Sequence, residues 1–282
     1  MKSDAALAAS FFCYNEGMKG KYTVFFDLDG TLVNDYDTVR PETLVMLETL
    51  RSHGHICFIN TGRGLANIPQ KLAMAVDGCI TVTGASCFYH GNMVFNNPMA
   101  EEVINEFASY CLDRKIPLFM ENNDKMNAIV PEGCDVHPLT ADYLPLVTDI
   151  YHSFKEYLED ESFTTLKLDT ELAYLDLFRD ELQRLAGKLN GVESGEWYEI
   201  LVNGNDKGTA IKKTVELLKL DPEKTICVGD SDNDLAMFEA CRYGIAVRDA
   251  SERVIRASRY QLGSNTDAGL MDVFRQMGLL ED

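Results

Sequence analysis

The chain has 282 residues, of which 46% are hydrophobic and 25% charged, and its formal net charge is −19. That length exceeds one ordinary core and points to two domains, and the apolar content excludes a disordered chain. The charge excludes a general nucleic-acid binder, which needs clustered Lys and Arg, and it repels small phosphorylated ligands unless a cation offsets it locally.

The eight cysteines (Cys13, Cys57, Cys79, Cys87, Cys111, Cys134, Cys227 and Cys241) contain no C-x-x-C pair. They read as free thiols in a reducing cytoplasm. No apolar run reaches the ~18 residues that span a membrane, so no membrane partner is expected. His53, His55, His90, His137 and His152 lack metal-ligand spacing.

Residues 1–20 hold a short apolar stretch behind Asp4 with no convincing cleavage site. They are expected to form a disordered tail, with Met18 a candidate natural start. Tyr22–Leu28 has the length and β-branched and aromatic content of a buried strand. Pro41 opens a helix that ends at Gly54, and His55–Asn60 is the next strand. A helix is predicted over Leu65–Val76 and a strand over Cys79–Thr83. This alternation indicates a parallel sheet with crossover helices.

The pattern then changes. Ala85–Phe95 reads as a hairpin turning at His90-Gly91-Asn92, and Pro98–Lys115 as a helix. Phe119–Val130, Phe163–Leu168 and Tyr198–Val202 read as strands, and Leu144–Leu158 and Leu172–Leu189 as partly helical. The βα alternation returns after Asn203. It comprises a helix over Gly208–Leu218, a strand at Thr225–Gly229 and a helix at Leu235–Cys241. Gly244–Val247, Ser251–Ala257, Tyr260–Leu262 and Ala268–Met277 continue it as strand, helix, strand and helix. The expected fold is α/β: a doubly wound, Rossmann-like parallel-sheet core over 21–84 and 191–282, with an α+β domain inserted over 85–190.

Open parallel sheets place their sites at the carboxyl ends of strands. Here three strands end in polar groups: Asp27-Leu28-Asp29-Gly30-Thr31, Asn60-Thr61-Gly62-Arg63 and Gly229-Asp230-Ser231-Asp232-Asn233-Asp234. Two carboxylate clusters offer hard oxygen ligands of the kind Mg²⁺ prefers. Asp27 and Asp29 are near enough to divide labour, one as nucleophile and metal ligand, the other as general acid and base. Thr61 and Gly62 supply a hydroxyl and a backbone N–H, a small phosphate cradle. Lys207, at the mouth of a helix, can neutralise a phosphoryl oxygen and keep Asp27 ionised.

DLDGT at 27–31, NTGR at 60–63, Lys207 and GDSDND at 229–234, in this order after strand-like runs, resemble the four motifs of the haloacid dehalogenase-like superfamily. The long insertion resembles the large α/β cap of its Cof-type subclass (IIB). Ala250 and the Ser264–Gly269 segment before the last helix are similar to that subclass too. The resemblance implies Asp27 as nucleophile and Asp29 as general acid/base. It implies Mg²⁺ held by the Asp27 carboxylate, the Asp29 carbonyl and Asp230, with Asp234 supporting. It implies phosphoryl contacts from Leu28 (backbone), Thr61, Gly62, Lys207 and Asn233.

Two positions depart from the usual pattern. Asn60 stands where Ala is frequent and is read as capping its strand, with an added hydrogen bond as the alternative. Asp232 adds a carboxylate, read as a helix N-cap or solvated group. Glu121-Asn122-Asn123-Asp124 reads as a solvated loop, with facing the substrate as the alternative, and Trp197 as packing between core and cap, with ligand stacking as the alternative. The implied activity is phosphatase action on small phosphorylated metabolites, with sugar phosphates the expected class. The rivals are a phosphomutase, which returns the phosphoryl group to a second hydroxyl, and a non-catalytic relic that binds phosphorylated ligands.

Overall fold

The computed structural model describes residues 18–33, 38–134, 147–160, 164–247, 249–262 and 267–280. Its larger sheet is built around β1 (Thr23–Phe26), whose four residues are all buried. β1 pairs in parallel with β2 (Ile56–Asn60) on one side and with β12 (Thr225–Gly229) on the other. Beyond β2 lies β3 (Gly78–Thr81), and beyond β12 lie β13 (Tyr243–Ala246) and β14 (Tyr260–Gln261), all parallel. Burial on both faces explains the near-continuous apolar runs of β1 and β12.

Helix α1 (Pro41–Ser52) starts on a proline, which costs nothing at a position whose N–H is orphaned, and buries Met46, Leu47 and Leu50. The helix expected over Leu65–Val76 is split into a single turn at Leu65–Asn67 and α2 (Gln70–Ala75). Pro69 is the cause. It has no N–H to donate and holds Ile68 extended, at φ −81° and ψ 130°.

The hairpin falls where expected, as β4 (Ser86–Tyr89) and β5 (Asn92–Asn96), with positive φ at His90 and Gly91 as a two-residue primed turn requires. Its partner differs from expectation. β4 pairs antiparallel with β3, so the hairpin extends the core sheet to eight strands. The exposed edge of β3 offers unpaired backbone groups that an adjoining hairpin satisfies.

The second sheet has six strands, in the order β10-β11-β9-β6-β7-β8. These are β6 (Leu118–Glu121), β7 (Met126–Ile129), β8 (Ile150–Tyr151), β9 (Lys167–Glu171), β10 (Leu189–Ser194) and β11 (Trp197–Val202). A boundary at 190/191 would cut through β10, which runs in register with β11 from Leu189 to Ser194. The inserted unit therefore starts after the hairpin and ends after Val202, later than the sequence pattern suggested at both ends. β8 and β10 were not foreseen. β8 has two residues, and β10 (LNGVES) lacks a clean apolar alternation.

Helices α3 (Glu101–Asp113), α4 (Phe154–Asp160) and α5 (Leu175–Arg184) accompany this sheet. Phe107 and Phe178 meet edge to face at 5.9 Å and pack with Leu118, Met120, Leu168 and Ile200. Strand alternation sends Phe119, Glu121, Lys167, Asp169, Trp197 and Glu199 to the opposite face. Residues 144–146, Phe163 and the Ser264–Thr266 segment of the expectations lie outside the described residues.

The chain returns to the core through α6 (Lys207–Leu217), α7 (Leu235–Ala240), α8 (Glu252–Ala257) and α9 (Asp267–Gln276). Asp206 caps α6 by accepting from Thr209 N.

Candidate active site

The site forms where β1 and β12 end side by side. Asp27 follows β1 directly, and its N–H donates to the Val228 carbonyl of β12 at 2.9 Å. The turn after it is tight: the Leu28 carbonyl accepts from Leu32 and Val33 at 2.9 and 3.0 Å. Gly30 makes that turn possible. Its φ is +81°, and a Cβ there would stand 2.6 Å from Asp230 Oδ2.

Lys207, the first residue of α6, reaches into the sheet end. Its ammonium donates to Asp27 Oδ1 and to Asp234 Oδ1, each at 2.6 Å, and the three side chains are at most 5% exposed. Asp234 is also fixed from the other side, because its Oδ2 accepts from the N–H groups of Asp230 and Ser231 at 3.0 and 3.2 Å. Asp230 accepts from Thr31 Oγ1 at 3.4 Å.

The electrostatics follow from this crowding. Burial, and then the charge of Asp234, push the Asp27 carboxyl well above its usual range against the opposing pull of Lys207. Burial and Asp234 also push Asp230 up to about 6. For Lys207, burial favours loss of the proton, but the charges of Asp234 and Asp27 outweigh it and raise its pKa. Excess negative charge packed behind one ammonium is a site that welcomes a further cation.

The donor set fits one. Oxygens of Asp27, Asp230 and Asp234 lie within 4.8 Å of one another. Both Asp234 oxygens already accept hydrogen bonds. Asp27 and Asp230 are therefore the candidate direct ligands, with Asp234 bracing them.

The second strand end supplies Thr61, buried, whose Oγ1 accepts from Arg63 N at 3.1 Å. Asn60 does more than cap its strand: its Nδ2 donates to the Lys207 carbonyl at 3.0 Å and ties β2 to the start of α6. Asn233 sits at the seam between the two units. Its Nδ2 donates to Ser194 Oγ of β10 at 3.3 Å. Asp232 is neither N-cap nor simply solvated, since Ser231 is the cap and Asp232 accepts from Ser251 and Arg253 at 2.5 and 2.7 Å.

Asp29 is placed differently from Asp27. Its carboxylate is half exposed and is gripped by Arg63, whose Nε donates at 3.0 Å while the other guanidinium nitrogen closes a second bond. Thus Asp27, Lys207, Asp230 and Asp234 converge, whereas Asp29 stands beside them on the Arg63 side.

Sequence reasoning missed a buried charge cluster on the inserted sheet: Glu121, Lys167, Asp169 and Glu199. Glu121 and Asn123 belong to the seam, not to a solvated loop. Glu121 is 4% exposed, and Asn123 Oδ1 accepts from Thr81 Oγ1 at 2.7 Å. Trp197 packs edge-on against Phe119 of the same sheet at 5.2 Å. The missed signal was the alternation in Lys167-Leu168-Asp169-Thr170-Glu171, which puts every charge on one face of a strand.

A doubly wound core with strand-end carboxylates and an inserted cap defines a class of phosphoryl-transfer hydrolase. The family profile for haloacid dehalogenase-like hydrolases matches residues 24–274. The chain therefore belongs to the haloacid dehalogenase-like hydrolase family, in its Cof-type branch. It is 25% identical over 272 residues to YkrA of Bacillus subtilis (strain 168), provisionally named a phosphatase, with 92% of this chain and 98% of that one covered. It is 23% identical over 273 residues to 5-amino-6-(5-phospho-D-ribitylamino)uracil phosphatase YitU of the same organism, covering 88% and 94%. The fold matches the subclass IIB sugar phosphatase BT4131, with a TM-score of 0.75, 21% identity and 92% and 99% coverage. It also matches TM0651 from Thermotoga maritima, with a TM-score of 0.75, 22% identity and 91% and 97% coverage. Both of these Bacillus subtilis relatives are phosphatases by name, and the chain is an enzyme of that class.

Proposed function

We propose that this chain is a Mg²⁺-dependent phosphatase of small phosphorylated metabolites, sugar phosphates foremost, working through a phosphoryl group held on Asp27. The observation that carries the reading is the buried Asp27–Lys207–Asp234 chain of 2.6 Å contacts beside Asp230. When bound, Mg²⁺ supplies the positive charge that lets an anionic phosphoryl group approach Asp27 in a chain of net charge −19.

Lys207 fixes one Asp27 oxygen and leaves the other to attack phosphorus. The bond from phosphorus to the ester oxygen breaks, and that oxygen takes a proton from Asp29, which first has to leave the Arg63 guanidinium and take up a proton. Asp29 then takes a proton from water, whose oxygen attacks the same phosphorus and releases phosphate and the Asp27 carboxylate. Thr61, Gly62, Asn233 and the Leu28 backbone are the candidate phosphoryl contacts. The two carboxyls sit in different environments: Asp29 is half exposed, and Asp27 is buried against the Lys207 ammonium, which favours its ionised, nucleophilic form. A cytoplasmic setting suits the free thiols of Cys57, Cys79, Cys87, Cys111, Cys227 and Cys241. Among the described residues, no helix is long and apolar enough to cross a membrane.

The test is phosphate release from a panel of metabolites, with and without Mg²⁺, by the wild type and by Asp27→Asn. Release should need Mg²⁺, and Asp27→Asn should lower kcat by about 10⁴-fold or more, as for loss of a nucleophile. An unchanged rate in that variant refutes the assignment, and an isomeric sugar phosphate without free phosphate makes the enzyme a mutase.

A further inference from the structure

We propose that the cap residues Glu121, Lys167 and Glu199 are positioning residues for the phosphate-binding loop, so that seating of the cap and assembly of the phosphoryl site are one coupled event. The inference rests on the phosphatase reading for the role of that loop.

The cluster is arranged to act on the core. Lys167 is 6% exposed, and its three ammonium protons have three close acceptors. Two are cap carboxylates, Glu121 Oε2 at 3.0 Å and Asp169 Oδ2 at 3.2 Å. The third is the core carbonyl of Gly62, at 3.2 Å. Each glutamate then turns its second oxygen to the core. Glu121 Oε1 accepts from Gly64 N at 2.8 Å, and Glu199 Oε2 accepts from Thr83 Oγ1 at 2.5 Å. Three cap side chains thus grip the loop at 62–64 and the segment at 83.

Those two core segments are themselves joined. Val82 N donates to the Arg63 carbonyl at 2.9 Å, and Thr83 N to the Thr61 carbonyl at 3.1 Å. Val82 and Thr83 hold φ of +50° and +49°, a left-handed conformation that β-branched residues strongly disfavour. Such backbone persists only where its surroundings over-determine it. The Glu199 bond to Thr83 is one of those constraints.

The gripped loop carries Thr61 and Gly62, the candidate phosphate cradle, and Arg63, which clamps Asp29. A shift of the loop displaces all three groups. Adhesion alone does not call for this chemistry. Burying charges at a seam is costly, and apolar side chains hold two surfaces together without that cost. Charged groups bonded to a backbone carbonyl and a backbone amide instead fix position and direction.

The experiment measures binding of inorganic phosphate to the full chain with Mg²⁺ by calorimetry, together with kcat and KM for p-nitrophenyl phosphate. The variants are Lys167→Met, Glu121→Met, Glu121→Gln and Thr83→Val. Losing a hydrogen bond to a charged group at the loop is expected to weaken phosphate binding by about tenfold or more in Lys167→Met, Glu121→Met and Thr83→Val. Glu121→Gln keeps an acceptor for Gly64 N–H and is expected to restore most of the affinity lost in Glu121→Met. Thr83→Val removes only a hydroxyl and keeps the test open if the buried-charge variants do not fold. Unchanged phosphate affinity in Thr83→Val and Glu121→Met overturns the inference. If KM then rises only for bulky metabolites, these residues read the leaving group instead. A wild type that binds phosphate without releasing it from any ester refutes the function while the affinity comparison still decides this inference.

Discussion

Replacing Lys207 with Met removes the one ammonium between two buried carboxylates and keeps much of the side chain's length. Two charge-assisted bonds of 2.6 Å are lost. At roughly 1.5–3 kcal/mol each, they sum to about 3–6 kcal/mol. Breaking a buried ion pair from one side costs a similar amount, about 3–5 kcal/mol. For a chain of this size, roughly 2–4 °C of melting temperature goes with each kcal/mol, so Lys207→Met should melt roughly 6–20 °C below the wild type.

The loss should also depend on pH. Burial and Asp234 already push the Asp27 carboxyl upward, and only Lys207 opposes them strongly. Without Lys207, Asp27 binds a proton in the folded state at a pH where the unfolded chain does not. Stability of the variant relative to wild type therefore falls as pH rises. Melting followed by circular dichroism at about pH 5.5 and about pH 8 should show the larger deficit at the higher pH. A variant within about 2 °C of wild type, or one with the same deficit at both pH values, refutes the reasoning.

Two other outcomes follow from buried groups away from this pair. Phe178 is fully buried and meets Phe107 at 5.9 Å in the cap. Phe178→Ala should therefore cost the cap about 3–5 kcal/mol, visible as an earlier cap transition in urea, and a single unshifted transition would contradict it. His55 is held neutral, since its Nδ1 accepts from Tyr22 N at 3.0 Å and its Nε2–H donates to the Leu279 carbonyl at 2.8 Å. Burial lowers its pKa, so below about pH 6.5 the unfolded chain binds a proton that the folded one resists. Stability should fall as pH drops through that window, and His55→Gln should flatten the slope. Coincident slopes for the two proteins would remove His55 from the account.

Much of the core was legible in the sequence because its signals are local. The apolar run before Asp27, Pro41 at a helix start and the His90-Gly91 turn each act within a few residues. Pro69 is an equally local signal, and it splits the helix expected over Leu65–Val76. The cap was less legible because its strands are short and one is largely polar. Its boundaries moved because the hairpin's partner is β3, and pairing depends on which sheet edge is open rather than on the hairpin's own residues.

The site divides the same way. Local motif and position singled out Asp27, Thr61, Asp230 and Asp234 at strand ends and Lys207 at the mouth of a helix, and the fold brings Asp27, Lys207, Asp230 and Asp234 together. The sequence by itself determined the family, the core alternation and the candidacy of these residues. Only the tertiary structure decided that Lys207 would bridge Asp27 and Asp234, that Asp29 would turn to Arg63, and that Lys167 would reach Gly62 across 105 residues of chain. The reason is that a charge's partner is set by burial and by long-range packing. A lysine in a sequence has no assigned acceptor until the fold has removed water from around it.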